Sequence, residues 1–167
     1  MASWKETSEM GFEFEDFVLE DINKKVLPLA YKNTIKENYS FYDIILFKGN
    51  FGEQSKTLEC KYDEKASHTG NICIEVGCNG RASGLLVTTA DYWLIGDGYI
   101  GYLIETTRIR EYILENGNEI IYKPKCLIKQ EDGVYKEMDI YLIKKSIFEK
   151  YCSEINNIDD MKYDCLK

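Results

Sequence analysis

Histidine and proline are nearly missing from this chain. His68 is the single histidine, and Pro28 and Pro124 are the only prolines in 167 residues. One imidazole leaves little room for a histidine-based acid–base scheme. With so little proline, no Pro/Ser-rich linker, no repeat and no low-complexity stretch, the chain reads as one domain over residues 1–167. No apolar run approaches the ~20 residues that cross a bilayer. The segment Met1 to Phe14 is acidic and lacks the basic and apolar regions of a signal peptide. The expectation is a soluble protein working in the cytoplasm. No C-x-x-C pair occurs among Cys60, Cys73, Cys78, Cys126, Cys152 and Cys165, so they read as reduced thiols, mostly in the core. Cys60, Cys73, Cys78 and His68 could be drawn as a zinc site, but the spacing is loose and no second paired set exists.

Positive charge is also short, with a net charge of −8. A duplex-binding protein ordinarily shows a basic patch, and composition alone would not suggest nucleic acid. The charge is uneven, however. Residues 1–22 hold seven acids against Lys5, whereas residues 123–150 hold seven lysines against five acids. The later half could therefore meet a phosphate backbone. The Ile, Lys, Asn and Tyr bias fits an AT-rich genome, bacterial or viral.

What is present is a core. Hydrophobic residues make up 44% of the chain. Phe14, Phe17, Val18, Ile22 and Val26 fall at helical spacing, predicting a helix over 8–27 capped by Ser8 and stopped by Pro28. An extended stretch, 29–40, should follow. Residues 41–47 read as a buried strand, 48–50 as a turn and 55–62 as the paired strand. Residues 63–71 read as a loop, and 72–76, 92–95 and 99–104 as strands. A helix is expected over 106–115 with Thr106 as its cap. Strands near 119–122 and 138–143 and a helix over 146–155 come next, and the last ten residues read as frayed. The order predicts an α/β or α+β sandwich with a mixed sheet.

The chemistry sits in Asp43 and, sixteen residues later, Glu59-Cys60-Lys61. Side chains alternate along a strand, so Glu59 and Lys61 share one face and Cys60 takes the other. With the two strands paired, the Asp43 carboxylate lies beside Glu59. Two carboxylates that close are costly without a cation between them, and hard oxygen ligands suit Mg²⁺ or Mn²⁺. A nearby lysine can orient a water or balance charge on a phosphoryl group. Acid-x-Lys also occurs at Asp63-Glu64-Lys65 and Asp160-Met161-Lys162, but only Glu59-Cys60-Lys61 lies in a strand following an Asp-bearing strand. Glu59 and Lys61 can equally be read as an exposed cross-strand charge ladder. Glu75, on a short apolar strand, faces either water or the site. Backbone amides of Thr69, Gly70 and Asn71 could approach a phosphate, or form an ordinary turn.

Residues 12–104 resemble the core of PD-(D/E)XK nucleases, where an acidic helix precedes a hairpin carrying D…(D/E)-x-K. Tyr42-Asp43 stands where the family has proline-aspartate. Thr69-Gly70-Asn71-Ile72-Cys73-Ile74-Glu75, then Ser83-Gly84, then Thr88-Thr89-Ala90-Asp91-Tyr92-Trp93 is similar to a stretch in small phage-type endonucleases of that superfamily. The resemblance implies a restriction-endonuclease-like core over about 8–115, with a central mixed sheet flanked by helices, and a C-terminal extension, 116–167. It also implies Mg²⁺- or Mn²⁺-dependent hydrolysis of DNA phosphodiester bonds. Asp43, Glu59 and the Cys60 carbonyl would hold the metal, and Lys61 would position water. Phe14-Glu15-Asp16-Phe17-Val18 matches the family's first helix and marks Glu15 as a further ligand, with Glu13 and Asp16 as rivals. Arg81, Lys123, Lys125, Lys129 and Lys136 are the expected nucleic-acid contacts, and a homodimer is the expected way for so small a core to span a duplex. The alternative is a catalytically inactive binding module on the nuclease fold.

Overall fold

A computed structural model describes residues 4–26, 30–33, 42–47, 54–129 and 134–166. In chain order it begins with α1 (Trp4–Lys25), β1 (Ala30–Lys32), β2 (Ile44–Phe47), β3 (Gln54–Tyr62), α2 (Ala66–Thr69), β4 (Asn71–Cys78) and β5 (Arg81–Ala82). It continues with β6 (Tyr92–Gly96), β7 (Ile100–Glu105), α3 (Thr106–Glu115), β8 (Ile121–Lys129), β9 (Tyr135–Lys144), α4 (Lys145–Phe148) and β10 (Glu154–Asn157).

Alternation along β3 builds the architecture. Its even residues Leu58 and Cys60 join Ile44, Leu46, Leu94 and Leu103 in one core, covered by Phe14, Val18 and Ile22 of α1. The opposite face carries Trp93, Ile95, Tyr102 and Ile104, covered by Ile72 and Ile74 of β4, Ile109 of α3 and Phe148 of α4. A central six-stranded mixed sheet, ordered β1-β2-β3-β6-β7-β10, thus lies between α1 and a second, antiparallel sheet ordered β5-β4-β9-β8. Among the described residues, only β3 and β6 pair in parallel within the central sheet. This is the α/β class with helices flanking a central mixed sheet.

Several boundaries differ from the sequence expectation. Helix α1 starts at Trp4, so Ser8 lies inside it. Phe17 lies 37% exposed, off the buried stripe. Pro28 and the turn 48–50 lie outside the described residues. The polar stretch after β3 contains α2, anchored by fully buried Ala66. Glu105 rather than Thr106 takes the N-cap position of α3, without a side-chain cap, and the Thr106 hydroxyl instead donates to the Ala90 carbonyl at 2.6 Å. Only Cys60 of the six free thiols is fully buried, and the other five are half-buried.

The largest differences lie after residue 116. In place of a helix over 146–155, α4 makes one turn, and Ile155 lies in β10 opposite Tyr102 of β7. An edge strand's unpaired amides and carbonyls favour such an added partner over an isolated helix. Strand β9 pairs with β4 from Asn71↔Lys144 to Cys78↔Met138, so this part of the chain is woven into both sheets. The final residues are not frayed: Met161, Tyr163 and Leu166 are buried in the α1-side core. Gly96 and Gly101 stand opposite each other on β6 and β7. A Cβ at Gly96 would overlap the Phe14 ring, and one at Gly101 would overlap Ile158 and Met161. The glycine pair opens the space in which α1 and the C-terminal segment rest.

The two sheets are joined by a buried ion pair. Asp97, in the β6–β7 turn, accepts hydrogen bonds from the Tyr99 and Ile100 amides at 3.0 and 2.7 Å and from the Tyr102 hydroxyl at 3.2 Å. Lys145 Nζ, just after β9, meets its Oδ2 at 2.6 Å. Burial pushes the Asp97 carboxyl up, but Lys145 and the amides outweigh it and hold it below 3.8. A depressed carboxyl stabilises the fold above the unfolded-state pKa and loses that contribution as pH falls through the folded value. Asp97→Ala should cost about 3 kcal/mol at pH 7, as expected for one partner lost from a buried pair. In urea denaturation the gap between wild type and variant should narrow below pH 3.8. A constant gap between pH 7 and pH 3 would rule out the ion pair as its source.

Candidate active site

Asp43 sits just before β2, where the chain leaves the sheet. Its amide donates to the Leu58 carbonyl at 2.9 Å and its carbonyl accepts from the Asn33 amide at 2.7 Å. The neighbouring strand has no further β2 residue to pair with beyond Leu58. The Asp43 carboxylate fills that place, accepting the Cys60 amide at 2.7 Å. The strand expected from residue 41 therefore begins only at Ile44, and Phe41 lies outside the described residues. A strand residue turns its amide and carbonyl to the same edge, so the Cys60 carbonyl also faces the Asp43 side. The Cys60 thiol points into the α1-side core.

Glu59 and Lys61 project together from the opposite face of β3, as alternation requires. Lys61 Nζ lies 2.6 Å from Glu59 Oε1 and 5.8 Å from the centroid of the Trp93 ring, the residue paired with Glu59 across the parallel ladder. Glu59 is 7% exposed, whereas the Lys61 side chain is 41% exposed. This is not a solvated charge ladder: one partner is buried and the other reaches the surface.

Three carboxylates act on one another here. Burial raises the Glu59 carboxyl, Lys61 opposes it, and the charges of Asp43 and Glu15 add to the rise, bringing it to about 7. Burial also raises Asp43, against the pull of Lys61, the Cys60 amide and Lys32. Glu15, on α1, is raised by burial and then by Asp43, with Lys32 opposing. For Lys61, burial disfavours the ammonium, but Glu59 and Asp43 outweigh it and raise its pKa. Lys61 is therefore a fixed ammonium at neutral pH.

These side chains do not close on a single point: among the described residues, no three His, Cys, Asp or Glu side chains form a ligand group. Asp43 is turned to the Cys60 amide, Glu59 to Lys61 and Glu15 to Lys32. The donor set itself suits a hard divalent ion, because the carboxylates raise one another's pKa and so repel one another without a cation. The alternative zinc quartet is not assembled. Cys60 belongs to the α1-side core, and the His68 ring lies exposed on α2 with its Nδ1 2.7 Å from Ser67 Oγ.

The downstream residues, whose roles the sequence left open, take partners within the fold. Glu75 is half-buried and bound by the Ser83 hydroxyl at 2.6 Å, while its charge contributes to raising Lys61. Gly84, at φ +49, presses against the Glu75 backbone where a Cβ would overlap the carbonyl. The amides near Thr69 are already used: Thr69 N donates to the Lys65 carbonyl, Gly70 N to Ala66 and Asn71 N to the Thr69 hydroxyl. Thr69 and Asn71 thus close a turn rather than present amides to a phosphate. Asp63, the rival acid, accepts the Cys73 amide at 2.9 Å and ties β4 to the end of β3.

The Thr88–Trp93 stretch sets the strand register. Asp91 Oδ2 accepts the Thr57 amide and hydroxyl at 2.8 and 2.9 Å, which fixes β6 on β3 two residues before Glu59. Arg110 donates to the Leu85 and Thr88 carbonyls at 3.0 and 2.9 Å and holds the preceding loop. The expected nucleic-acid contacts are spread across the second sheet. Arg81 is exposed on edge strand β5, and Lys123 and Lys125 are exposed on the opposite edge strand, β8. Lys136 is half-buried on β9, and the Lys129 side chain lies outside the described residues. Lys32 escaped the sequence reading because a three-residue strand is too short to show which way its side chains point. Among protein-family models, curated proteins and solved structures, no match to this chain is found.

Proposed function

We propose that this protein is a metal-dependent nuclease hydrolysing phosphodiester bonds of DNA. The observation that carries the reading is the electrostatic coupling of Asp43, Glu59, Glu15 and Lys61 around the point where β2 leaves β3, with Glu59 raised to about 7 by burial and its acidic neighbours. Asp43, Glu59 and the Cys60 carbonyl would hold one Mg²⁺ or Mn²⁺. When bound, such an ion polarises a phosphoryl oxygen and makes a bound water more acidic.

The chain's own residues supply the rest. Lys61 remains protonated, so it acts as a donor that orients the attacking water and balances negative charge on the phosphoryl group. Trp93 lies fully buried beside it and fixes the direction of its stem. Glu59 and Asp43 can both be ionised at modest electrostatic cost only while cations face them. The DNA backbone would be held by Lys123, Lys125 and Lys136 with Arg81, since α1 is acidic and repels phosphate.

Cleavage of a panel of duplex, single-stranded and branched DNA should require added Mg²⁺ or Mn²⁺ and stop with excess chelator. Asp43→Ala, Glu59→Gln and Lys61→Ala should each lower the rate by at least about 100-fold with circular dichroism unchanged, whereas exposed Lys65→Ala should cut normally. Full activity in chelator would overturn the metal mechanism, full activity in all three variants would overturn the assigned residues, and no cleavage of any substrate with either metal would leave the chain as a binding module.

Metal affinity should follow the Glu59 carboxyl. A carboxyl must lose its proton to ligate, so Mn²⁺ affinity measured by calorimetry should weaken as pH falls through about 7 and hold steady above it. Glu59→Gln should remove that pH dependence. An affinity flat from pH 6 to 8 in the wild type would contradict the assignment.

Binding should be weak and sensitive to salt. Each phosphate contact contributes about −0.9 to the slope of log K against log salt on a duplex. Alanine at Lys123, Lys125 or Lys136 should each reduce the slope by about one contact. A slope unchanged with all three removed would place the nucleic acid on another surface.

A further inference from the structure

Lys32 lies outside every motif described above, yet the fold brings its ammonium to the acidic cluster. On β1 it pairs with Ile44, the residue after Asp43, and the next residue, Asn33, donates its amide to the Asp43 carbonyl. One turn of α1 forms the other wall. Phe12, Glu15 and Asp16 stand at i, i+3 and i+4 and so share a face of that helix. Lys32 Nζ lies 3.1 Å from Glu15 Oε2, 2.8 Å from Asp16 Oδ1 and 5.6 Å from the centroid of the Phe12 ring. The side chain is 30% exposed, so the head is held by two carboxylates and a ring face while the stem runs along the protein. Its charge reaches beyond Glu15: against the burial that raises both carboxyls, Lys32 favours the ionised forms of Glu15 and Asp43.

We propose that Lys32 is a resident cation of this site, seated on Glu15 where a second divalent ion would otherwise bind, so that the site takes a single ion on Asp43 and Glu59. The proposal rests on the reading of Asp43 and Glu59 as metal ligands. Its physical basis is competition between a tethered charge and a free one. The ammonium is attached to a strand beside the site, so its local concentration far exceeds that of a dissolved ion. A second divalent ion would have to part Lys32 from Glu15, and Asp16 and Phe12 would still hold the ammonium within a few ångströms. At that range, even in a surface dielectric, repulsion between the ammonium and a divalent ion weakens binding by roughly tenfold or more. Glu15 therefore acts as the seat of Lys32 rather than as a metal ligand.

The test is calorimetric titration of the full chain with Mn²⁺ in the absence of nucleic acid, comparing wild type, Lys32→Met, Lys32→Arg and the double variant Lys32→Met/Glu15→Gln. Methionine and arginine both keep an unbranched stem, and Lys32→Gln replaces Lys32→Met if the latter fails to fold. The expected stoichiometry is one ion for wild type and Lys32→Arg, two for Lys32→Met, and one again for the double variant. Two ions on the wild type, or a single ion on Lys32→Met, overturns this proposal and leaves Asp43 and Glu59 as ligands. A wild type that binds no Mn²⁺ overturns the metal-site reading itself, and this proposal falls with it.

Discussion

The parallel pairing of β3 with β6 is the constraint on which the site depends. The two strands are separated in sequence by the whole of β4 and β5, so no local turn sets their register. The Asp91 carboxylate does so by capping Thr57 through both its amide and its hydroxyl. With that contact made, Trp93 stands beside Glu59 and under Lys61. A slip of one residue would exchange the faces of β6 and take Trp93 out of the second core. The residues that read as a family signature, Ser83-Gly84 and Thr88–Trp93, are mostly the parts of this lock. Gly84 lets the loop touch β4, and Arg110 of α3 fastens the loop carbonyls.

Electrostatics then decides what the site can hold. Three acids collected at a partly buried edge repel one another, and each finds a substitute partner: an amide for Asp43, Lys61 for Glu59 and Lys32 for Glu15. Each of these partners offsets part of the repulsion, so the three acids can sit close together in the folded chain, and the proposed divalent cation would offset the rest. The buried Asp97–Lys145 pair is a different arrangement. There the acid accepts four hydrogen bonds or ion-pair contacts in all, and its carboxyl is lowered rather than raised. The contrast separates a structural acid from acids held short of full compensation.

Much of this was legible in the residues. Alternation placed Glu59 and Lys61 together and Cys60 in the core, and helical spacing placed Phe14, Val18 and Ile22 on the sheet. Both are local periodicities, and packing only confirms which side is inward. Of the three acid-x-Lys tripeptides, Glu59-Cys60-Lys61 is the one whose amide binds Asp43, while Asp63 ties β4 in place. The C-terminal third was read poorly for the opposite reason. Ser146–Ile155 has enough helix-forming residues to suggest a helix, but the open edge of β7 draws Ile155 into a strand. The polar last residues hide Met161, Tyr163 and Leu166 in the α1-side core, and Met161 needs the space above Gly101.

By itself the sequence determined the mixed α/β class, the strand that carries Glu59 and Lys61, and the acid that precedes it, because these follow from near-neighbour spacing along one chain. Tertiary structure alone decided that β4, β5, β8 and β9 build a separate antiparallel sheet. It also decided that Thr69 and Asn71 spend their amides on a turn, and that Lys32 reaches Glu15 across the gap between β1 and α1. Those outcomes depend on contacts between segments far apart in the chain, where loop closure must be overcome before any contact is made. No pattern confined to a few neighbouring residues encodes them.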